Sequence, residues 1–306
     1  MKFLIKCPAK IILFGEHFVV YKQKGIAAAI KPYNEIEFEF KKSSFPSFEY
    51  YSNIKKHSFK INKENKISKH FLSDLYKFFL EKYPQLKNFK IKMRIKKIWK
   101  LKGVGNSSTL SASFALAVEK FLKNKPTAKK IFQYAQVGDS FAHKRPSGID
   151  AAAIVYGGLI DFSKISKPKK IKFKKINKLK FLLIDTSFKD KTFSSTLKQI
   201  EKFASANGQR NIKKYQEIYK KAKRALTKGD IKNLTDMMKQ NQKLLEEGRV
   251  STKRIDMIKK ILKREGVEGV KITGAGGKGG CVIALLRINR IKKVQKKIKK
   301  TWFSFL

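Results

Sequence analysis

Two glycine-bearing segments hold the residues of this chain that are best suited to chemistry. The first, residues 103–109, is Gly-Val-Gly-Asn-Ser-Ser-Thr. Its glycines would let backbone N–H groups approach phosphate oxygens, and a helix starting here would add partial positive charge. A serine hydroxyl at that helix start can also ligate Mg²⁺. Serine and threonine are equally ordinary helix caps, so this segment alone fits either a phosphate-binding loop or a plain helix start.

The second segment, residues 273–281, is Thr-Gly-Ala-Gly-Gly-Lys-Gly-Gly-Cys. A tight hairpin needs only about two turn residues, far fewer than this segment supplies. Glycine in such numbers favours a place where another backbone or a ligand approaches closely. We therefore expect a ligand contact here rather than a simple turn.

Carboxylates and a lysine could supply the rest of the chemistry. Asp150 ends the segment Pro-Ser-Gly-Ile-Asp at 146–150, and Asp139 precedes it. One carboxylate can accept the proton of a substrate hydroxyl while another holds Mg²⁺, although the same residue types also form ordinary turns. Lys10 interrupts an apolar strand, so its charge needs an anionic partner or a path to water. Glu16 and His17 follow a glycine turn.

The surrounding sequence predicts the elements that would position these groups. Residues 1–40 are typical of strands, 68–83 of an amphipathic helix, and 89–96 alternate as a half-buried strand does. Further helices are predicted at 110–122, 127–142, 190–206, 209–227, 230–247, 251–265 and 288–300, and further strands at 181–185, 269–273 and 281–287. Helices and strands occur in both halves, and the basic tract 164–180 separates them. This pattern predicts an α+β protein with a domain boundary near residue 170.

Composition narrows the class of protein. The hydrophobic fraction of 42% indicates a globular chain, and lysines break every apolar run before it is long enough to span a bilayer. The first residues lead directly into a strand rather than a signal peptide, so we expect a cytoplasmic protein. Cys7 and Cys281 are too few for a metal cage and are expected to be small buried residues.

The net charge of +49 suggests nucleic acid or an anionic membrane as a partner. The lysines are nevertheless spread along the whole chain, which indicates a compositional bias of tolerant surface positions. Such a field would draw in anionic small molecules in a salt-dependent way. We expect no specific nucleic acid and no membrane as partners.

The motifs together resemble the GHMP kinase superfamily, and within it the mevalonate kinases, over residues 5–287. The resemblance rests on Lys-Ile-Ile-Leu-Phe-Gly-Glu-His at 10–17, on the two glycine segments, on 146–150, and on Asn-Gln-Lys-Leu-Leu at 241–245. It implies a two-domain GHMP fold. The N-terminal domain, residues 1–170, would be like ribosomal protein S5 and would bind the nucleotide. The C-terminal domain, residues 171–306, would be a ferredoxin-like α/β domain.

The resemblance also implies roles for individual residues. Asp150 would activate the substrate hydroxyl with Lys10 beside it, and Ser107 and Asp139 would bind Mg²⁺. The predicted nucleotide-binding residues are Gly103, Gly105, Asn106, Ser107, Ser108 and Thr109. The predicted substrate-binding residues are Glu16, His17, Ser147, Gly148, Thr192, Gly274, Ala275 and Gly276.

Three positions depart from the family pattern. Asn106 occupies the place of a serine, and a one-residue shift would make Ser108 the Mg²⁺ ligand in place of Ser107. Asp139 replaces a longer glutamate. Lys278 lies in a third motif that is one residue longer than usual.

The expected activity is ATP- and Mg²⁺-dependent phosphorylation of mevalonate to 5-phosphomevalonate, a step of isoprenoid biosynthesis. Two alternatives stay open: a GHMP kinase for another alcohol, such as phosphomevalonate, homoserine or a sugar, and a basic nucleic-acid-binding protein. A homodimer is an open option for assembly.

Overall fold

The structure is a computed structural model of the chain. It describes residues 1–52, 55–60, 70–143, 145–172, 179–186, 196–267, 269–274, 276, 280–298 and 301–304. Residue contacts divide the chain into two compact units. Unit 1 comprises Met1–Ala9, Pro32–Trp99 and Gly105–Tyr156, and unit 2 comprises Lys10–Lys31, Lys100–Val104 and Gly157–Leu306. The domain boundary that the sequence placed near residue 170 stays a prediction.

In its described residues, unit 1 combines strands with α-helices. The strands are β1 (Lys2–Phe14), whose first part belongs here, the second part of β2 (Gly25–Lys42), β3 (Ser47–Ser52), β4 (Lys55–Lys60) and β5 (Phe89–Lys97). They pair in the order β4-β3-β5-β2, and β1 also pairs with β2. The helices are α1 (Phe71–Lys82), α2 (Asn106–Phe121), α3 (Ala128–Ala142) and α4 (Ile149–Tyr156).

Side-chain periodicity explains why the elements of unit 1 form. In β5, Ile91, Met93 and Ile95 are buried and alternate with charged residues, as a one-sided strand requires. Helix α1 buries positions three and four apart, which gives it an apolar face. These faces meet around Phe114 of α2, whose ring contacts the rings of three other buried phenylalanines. The core of this unit therefore fixes α2, the helix that follows the first glycine segment.

Unit 2 contains a four-stranded antiparallel sheet in the order β11-β8-β10-β9. Its strands are β8 (Leu179–Asp185), β9 (Gly269–Thr273), β10 (Cys281–Arg287) and β11 (Thr301–Ser304). The start of β2 pairs with β6 (Leu159–Ser163), which pairs with β7 (Ser166–Lys170). The helices are α5 (Thr196–Lys228), α6 (Ile231–Glu247), α7 (Lys253–Arg264) and α8 (Ile291–Lys297).

Short polar side chains define where three helices begin. Thr127 caps α3 by accepting a hydrogen bond from Lys130 N at 3.2 Å, and Thr252 caps α7 through Ile255 N at 3.3 Å. Asp230 caps α6 through Asn233 N at 3.0 Å. Each cap satisfies a backbone N–H group that has no partner within its helix.

Some predicted elements differ from the structure. The helices predicted at 190–206 and 209–227 are joined in one helix, α5, over their described residues, while 190–195 lie outside these. A glycine in a helix interior costs only about 1 kcal/mol, and the buried face beyond Gly208 outweighs it. Of the helix predicted at 288–300, the described residues form α8, which ends where Ile298 adopts an extended backbone and which buries only Val294 among them; residues 299 and 300 lie outside the described residues. Helix α2 begins at Asn106, four residues earlier than predicted.

Within the described residues, no helix has both the length and the apolar character needed to cross a lipid bilayer.

Candidate functional site

The start of α2 in unit 1 carries five of the six predicted nucleotide-binding residues, those at 105–109, while Gly103 belongs to unit 2. Gly105 is the N-cap with φ 80°, and its carbonyl accepts the Thr109 N–H at 2.9 Å, which closes the first helical turn. The helix has 16 residues, so its N-terminus presents backbone N–H groups and partial positive charge. The segment therefore forms the loop and helix start that the sequence predicted, in a form suited to an anion.

The two serines of this turn have different partners. Ser108 is buried and donates a hydrogen bond from Oγ to Asp139 Oδ2 at 2.5 Å. Ser107 is half-buried, and its Oγ lies 3.0 Å from His143 Nε2. The structure thus brings Ser108, rather than Ser107, together with the predicted magnesium-binding carboxylate. The roles of both serines stay predictions.

The donor set at this turn fits Mg²⁺. A hydroxyl and a carboxylate supply hard oxygen ligands, which Mg²⁺ prefers, and the ion commonly takes only one or two protein carboxylates together with phosphates and water. Among the described residues, no group of three or more His, Cys, Asp or Glu side chains is placed to hold a metal ion. Ser108 and Asp139 are donors of the kind that Mg²⁺ binds, and their role as its ligands stays a prediction.

The Asn106 side chain links the start of α2 to Trp99. Its Nδ2 donates to the Trp99 carbonyl at 3.0 Å, and Trp99 N in turn donates to Asn34 Oδ1 at 2.9 Å. Thr109 Oγ1 donates to the Pro8 carbonyl at 3.0 Å. These contacts tie the first turn of α2 to neighbouring segments of unit 1. Asparagine at the position where the family has serine therefore has a structural explanation.

The segment 146–150 leads into α4. Ser147 Oγ accepts the Ile149 N–H at 3.3 Å, and Gly148 has φ 85°. Asp150 lies in the first turn of α4 and is half-buried. The serine and the glycine thus shape the turn that places Asp150 at a helix start.

Lys10 belongs to unit 2 and is only 1% exposed. Its Nζ donates to the Gly103 carbonyl at 2.9 Å, and its backbone N–H donates to the Val104 carbonyl at 2.9 Å. Lys10 is therefore held against the first glycine segment from both its main chain and its side chain. Whether it acts together with Asp150 stays a prediction.

Within unit 2, Gly103 of the first glycine segment packs against Gly274 of the second. A Cβ on Gly274 would lie 3.1 Å from the Gly103 carbonyl oxygen and 3.2 Å from its Cα. Both residues also have positive φ, 81° at Gly103 and 82° at Gly274. At Gly274 the close approach of the Gly103 backbone leaves little room for a Cβ, whereas at Gly103 it is the positive φ that favours glycine. The sequence indicated a close approach, and the structure shows that part of it is backbone against backbone.

Glu16 and Lys271 form an ion pair with 0% side-chain exposure on both partners. Lys271 Nζ donates to Glu16 Oε1 at 2.5 Å and to the Ile272 carbonyl at 2.5 Å. Burial raises the pKa of Glu16, and attraction to Lys271 and, more weakly, to Lys10 opposes that rise. Burial also lowers the pKa of Lys271, against the attraction of Glu16. Glu16, predicted to bind substrate, thus has its carboxylate engaged inside the protein.

His17 and Gly276 are the other predicted substrate residues that the structure describes in unit 2. His17 is half-buried, with φ 66°, and Gly276 has φ 65°. The predictions for Thr192 and Ala275, like the question about Lys278, lie outside the described residues.

Both cysteines are buried, as the sequence predicted. Burial raises the pKa of the Cys281 thiol to about 12, with Asp185 adding to the rise and Lys10 opposing it. Burial likewise raises the pKa of Cys7, against a hydrogen bond with Ser113. A thiol with a raised pKa carries little thiolate, so neither cysteine is suited to act as a nucleophile.

Sequence reasoning gave no role to Lys271 or His143. A signal for Lys271 was present, since it interrupts the apolar strand β9 just as Lys10 interrupts β1. For His143, the signal was its position four residues after Asp139 at the end of α3.

Comparisons with known proteins agree with the fold and the motifs. The family model "GHMP kinases N terminal domain" matches residues 70–158, and the model "GHMP kinases C terminal" matches residues 222–303. The chain is 28% identical over 286 residues to a mevalonate kinase of Methanocaldococcus jannaschii, covering 89% of this chain and 88% of that protein. A mevalonate kinase of Aeropyrum pernix is 27% identical over 177 residues, which span 57% of this chain and only 54%, about half, of that protein.

Solved structures give the same result for the fold. The crystal structure of L. major mevalonate kinase in complex with R-mevalonate has a TM-score of 0.79 at 25% identity, with 99% of this chain and 95% of that chain covered. The Methanococcus jannaschii mevalonate kinase has a TM-score of 0.83 at 23% identity, with 100% and 98% covered. A Lactococcus lactis galactokinase has a TM-score of 0.80 at 15% identity, with 100% and 93% covered. The predicted two-domain α+β kinase fold is confirmed.

The two family models together match more than half of the 306 residues, in the expected order and around the predicted motifs. The chain belongs to the GHMP kinase family, a family of ATP-dependent small-molecule kinases.

Proposed function

We propose that the protein transfers the γ-phosphoryl group of ATP to the hydroxyl group of mevalonate, giving 5-phosphomevalonate and ADP. The curated relatives named mevalonate kinase support this substrate, and two of them align over about nine-tenths of the chain. The main structural support for this chemistry is the hydrogen bond from Ser108, in the first turn of α2, to Asp139 of α3. It combines a helix N-terminus with hard oxygen ligands, the two features that a magnesium–triphosphate ligand requires.

The nucleotide end of the site is built from residues 103–109. Backbone N–H groups at the start of α2 would donate to the phosphate oxygens, and the helix dipole would favour their negative charge. Asp139, with Ser108 or Ser107, would hold Mg²⁺, which supplies charge neutralisation between the phosphates when it is bound. Because positioning and electrostatics dominate phosphoryl transfer, this part of the chain would lower the barrier without covalent participation.

Asp150 would supply the acid–base step. Its half-buried carboxylate would orient the substrate hydroxyl and accept its proton as the new O–P bond forms and the bond between the β-bridging oxygen and the γ-phosphorus breaks. Lys10 would contribute a fixed positive charge, since its ammonium group is already held at the Gly103 carbonyl.

The fold does not select the alcohol, because a galactokinase is as similar in structure as the mevalonate kinases are. Another alcohol therefore remains the second candidate for the substrate. The sequence motifs at 10–17 and 146–150 favour mevalonate over a sugar or homoserine.

Incubation of the purified protein with ATP-Mg²⁺ and mevalonate, followed by mass detection of the product, tests this proposal. Parallel reactions contain phosphomevalonate, homoserine or galactose at equal concentration. We expect 5-phosphomevalonate to form at least about tenfold faster than any other product, a difference of about 1.4 kcal/mol in transition-state stabilisation. A faster reaction with another alcohol would reassign the substrate. Tight, salt-resistant RNA binding without any phosphoryl transfer would favour the nucleic-acid alternative.

A further inference from the structure

The Gly15-Glu16-His17 turn of unit 2 has an unusual backbone. Gly15 has φ 118° and His17 has φ 66°. A Cβ on Gly15 would lie 2.8 Å from Gly25 Cα, so only glycine fits there. The left-handed conformation of His17 is unfavourable for a residue other than glycine or asparagine, so it requires support from the surrounding structure.

That support comes from the residues on either side of His17. On one side, Glu16 forms the buried ion pair with Lys271. On the other side, the Phe18 ring stacks on the Tyr215 ring, with centroids 4.1 Å apart and planes 5° from parallel. Tyr215 is itself fixed by a 2.6 Å hydrogen bond from its hydroxyl to the Lys24 carbonyl. His17 is thus held between an electrostatic anchor and an aromatic anchor.

Lys271 is well placed to serve as an anchor because β9 is immobilised by its neighbours. β9 pairs with β10, with Lys271 opposite Ile283. Ile272 N donates to Gln242 Oε1 at 2.8 Å, and Thr273 Oγ1 accepts the Ile12 N–H at 2.8 Å. Strand β9 is therefore bonded to β10, to α6 and to β1, the strand that ends at the turn.

Glu16 depends on Lys271 for its direct bond. Its second carboxylate oxygen, Oε2, is buried and accepts no hydrogen bond from the described residues. Phe14 packs under the same ammonium group, with its ring centroid 5.9 Å from Lys271 Nζ. At a site this buried, loss of the Lys271 ammonium group would leave the Glu16 carboxylate with only its own backbone N–H and the weaker attraction of Lys10, and the turn would have to move.

We propose that Lys271 is a positioning residue that acts through Glu16 to fix the turn that presents His17 to the alcohol substrate. This inference rests on the proposed function for the identity of the alcohol. Glu16 then serves inside the protein, and His17 is the member of the motif that meets the substrate. Loss of the pair is expected to disturb binding of the alcohol more than binding of ATP.

Four variants test the proposal. Lys271→Met removes the ammonium group, Glu16→Gln removes the negative charge, and the double variant removes both. Lys223→Met is the matched control: it makes the same substitution in another ion pair of unit 2, in which Lys223 Nζ lies 2.7 Å from Asp161 Oδ2. Steady-state kinetics with mevalonate and with ATP, and thermal unfolding, are measured for each variant.

For Lys271→Met we expect the KM for mevalonate to rise by about tenfold or more, because a small displacement of a substrate-contacting side chain is costly. The KM for ATP should stay within about twofold. The double variant is expected to recover thermal stability relative to Lys271→Met but not the KM for mevalonate. An unchanged KM for mevalonate in Lys271→Met would overturn the proposal. So would its full recovery in the double variant, since the pair would then be merely structural. A far larger loss in Glu16→Gln than in Lys271→Met would instead place Glu16 on the substrate.

A spectroscopic measurement separates this inference from the proposed function. The chain has only four histidines, so the imidazole signals of His17 can be assigned by NMR with a His17→Gln variant. We expect these signals to shift in Lys271→Met, or in the double variant if the single one does not fold, and to stay in place in Lys223→Met. If the wild-type protein does not phosphorylate mevalonate, the proposed function fails while this measurement still tests the anchor. Unshifted His17 signals would overturn the anchor even in an active enzyme.

Discussion

Asp139 and Glu16 are both buried carboxylates, yet they are bonded to different kinds of partner. Asp139 accepts a hydrogen bond from the neutral Ser108 hydroxyl, whereas Glu16 accepts one from the Lys271 ammonium group. A hydroxyl orients a carboxylate without cancelling its charge, while an ammonium group at 2.5 Å balances it. Glu16 is therefore paired with a cation of the chain itself, whereas under the proposed function Asp139 would also serve Mg²⁺.

The largest effect is expected at a third carboxylate, Asp150, which is half-buried rather than buried. Asp150→Asn keeps the shape of the side chain but removes its ability to accept a proton. We expect kcat to fall by about 10³-fold or more, because both the acid–base contribution and the charge are lost. ATP binding, measured by calorimetry, should be unchanged. Turnover close to that of the wild type would remove Asp150 from the catalytic role.

The next effect concerns the free energy of unfolding and compares the partners of Glu16 and Asp139. Lys271→Met leaves Glu16 buried without its direct partner, and breaking a buried pair from one side costs about 3 kcal/mol or more. Ser108→Ala removes one hydrogen bond from a neutral hydroxyl to the Asp139 carboxylate, which is worth about 1–2 kcal/mol. Urea unfolding of both variants measures the difference. Equal destabilisation would show that the two carboxylates are held in the same way.

A smaller effect is expected at Glu49, a buried carboxylate paired with Lys90 and Lys92. Burial by itself would raise its pKa, but hydrogen bonds from Lys90 and Tyr51 outweigh burial and lower the pKa from 4.5 to about 2. Because the folded-state pKa is depressed, the stabilisation is fully present above the unfolded value of 4.5 and is lost as the pH falls towards 2. Glu49→Gln should therefore lower the free energy of unfolding by about 2 kcal/mol at pH 7 and by much less near pH 2.

Denaturant unfolding between pH 2 and pH 7 checks this prediction. Glu217→Gln is the control, since Glu217 pairs with Lys220 on the surface, with its side chain 61% exposed. The control should show little change at any pH. A pH-independent loss of stability in Glu49→Gln would contradict the account of its ion pairs.

The smallest effect distinguishes the two serines at the start of α2. If Ser108 orients the metal-binding carboxylate, Ser108→Ala should raise the Mg²⁺ concentration needed for half-maximal rate by about tenfold, the worth of one charge-assisted hydrogen bond. Ser107→Ala should then change it less, because Ser107 contacts His143 instead. The reverse order would make Ser107 the metal-site serine, as the family resemblance implies.

Local signals predicted much of the fold. The alternation in β5 and the spacing in α1 fixed which face of each is buried, and the predicted starts of α3, α6 and α7 lie within two residues of the observed ones. The continuity of α5 through Gly208 was not predictable, because a weak local preference for a break gave way to packing further along the helix.

The candidate site was predictable in outline but not in its pairings. Glycine-rich composition indicated the loops, yet the contact between Gly103 and Gly274 depends on the fold of unit 2. Glu16 and Lys271 are 255 positions apart, so no local pattern joins them. The choice between Ser107 and Ser108 depends on helix rotation at a single residue, which sequence alone does not fix.

The central claim is that Asp139 binds Mg²⁺ whereas Glu16 forms an internal ion pair with Lys271. Calorimetric titration of a non-hydrolysable ATP analogue, with and without Mg²⁺, tests it most directly. The wild type, Asp139→Asn and Glu16→Gln are compared. We predict that Asp139→Asn loses most of the gain in affinity that Mg²⁺ gives, while Glu16→Gln retains it. Retention of the full Mg²⁺ effect in Asp139→Asn, or its loss in Glu16→Gln, would contradict the account.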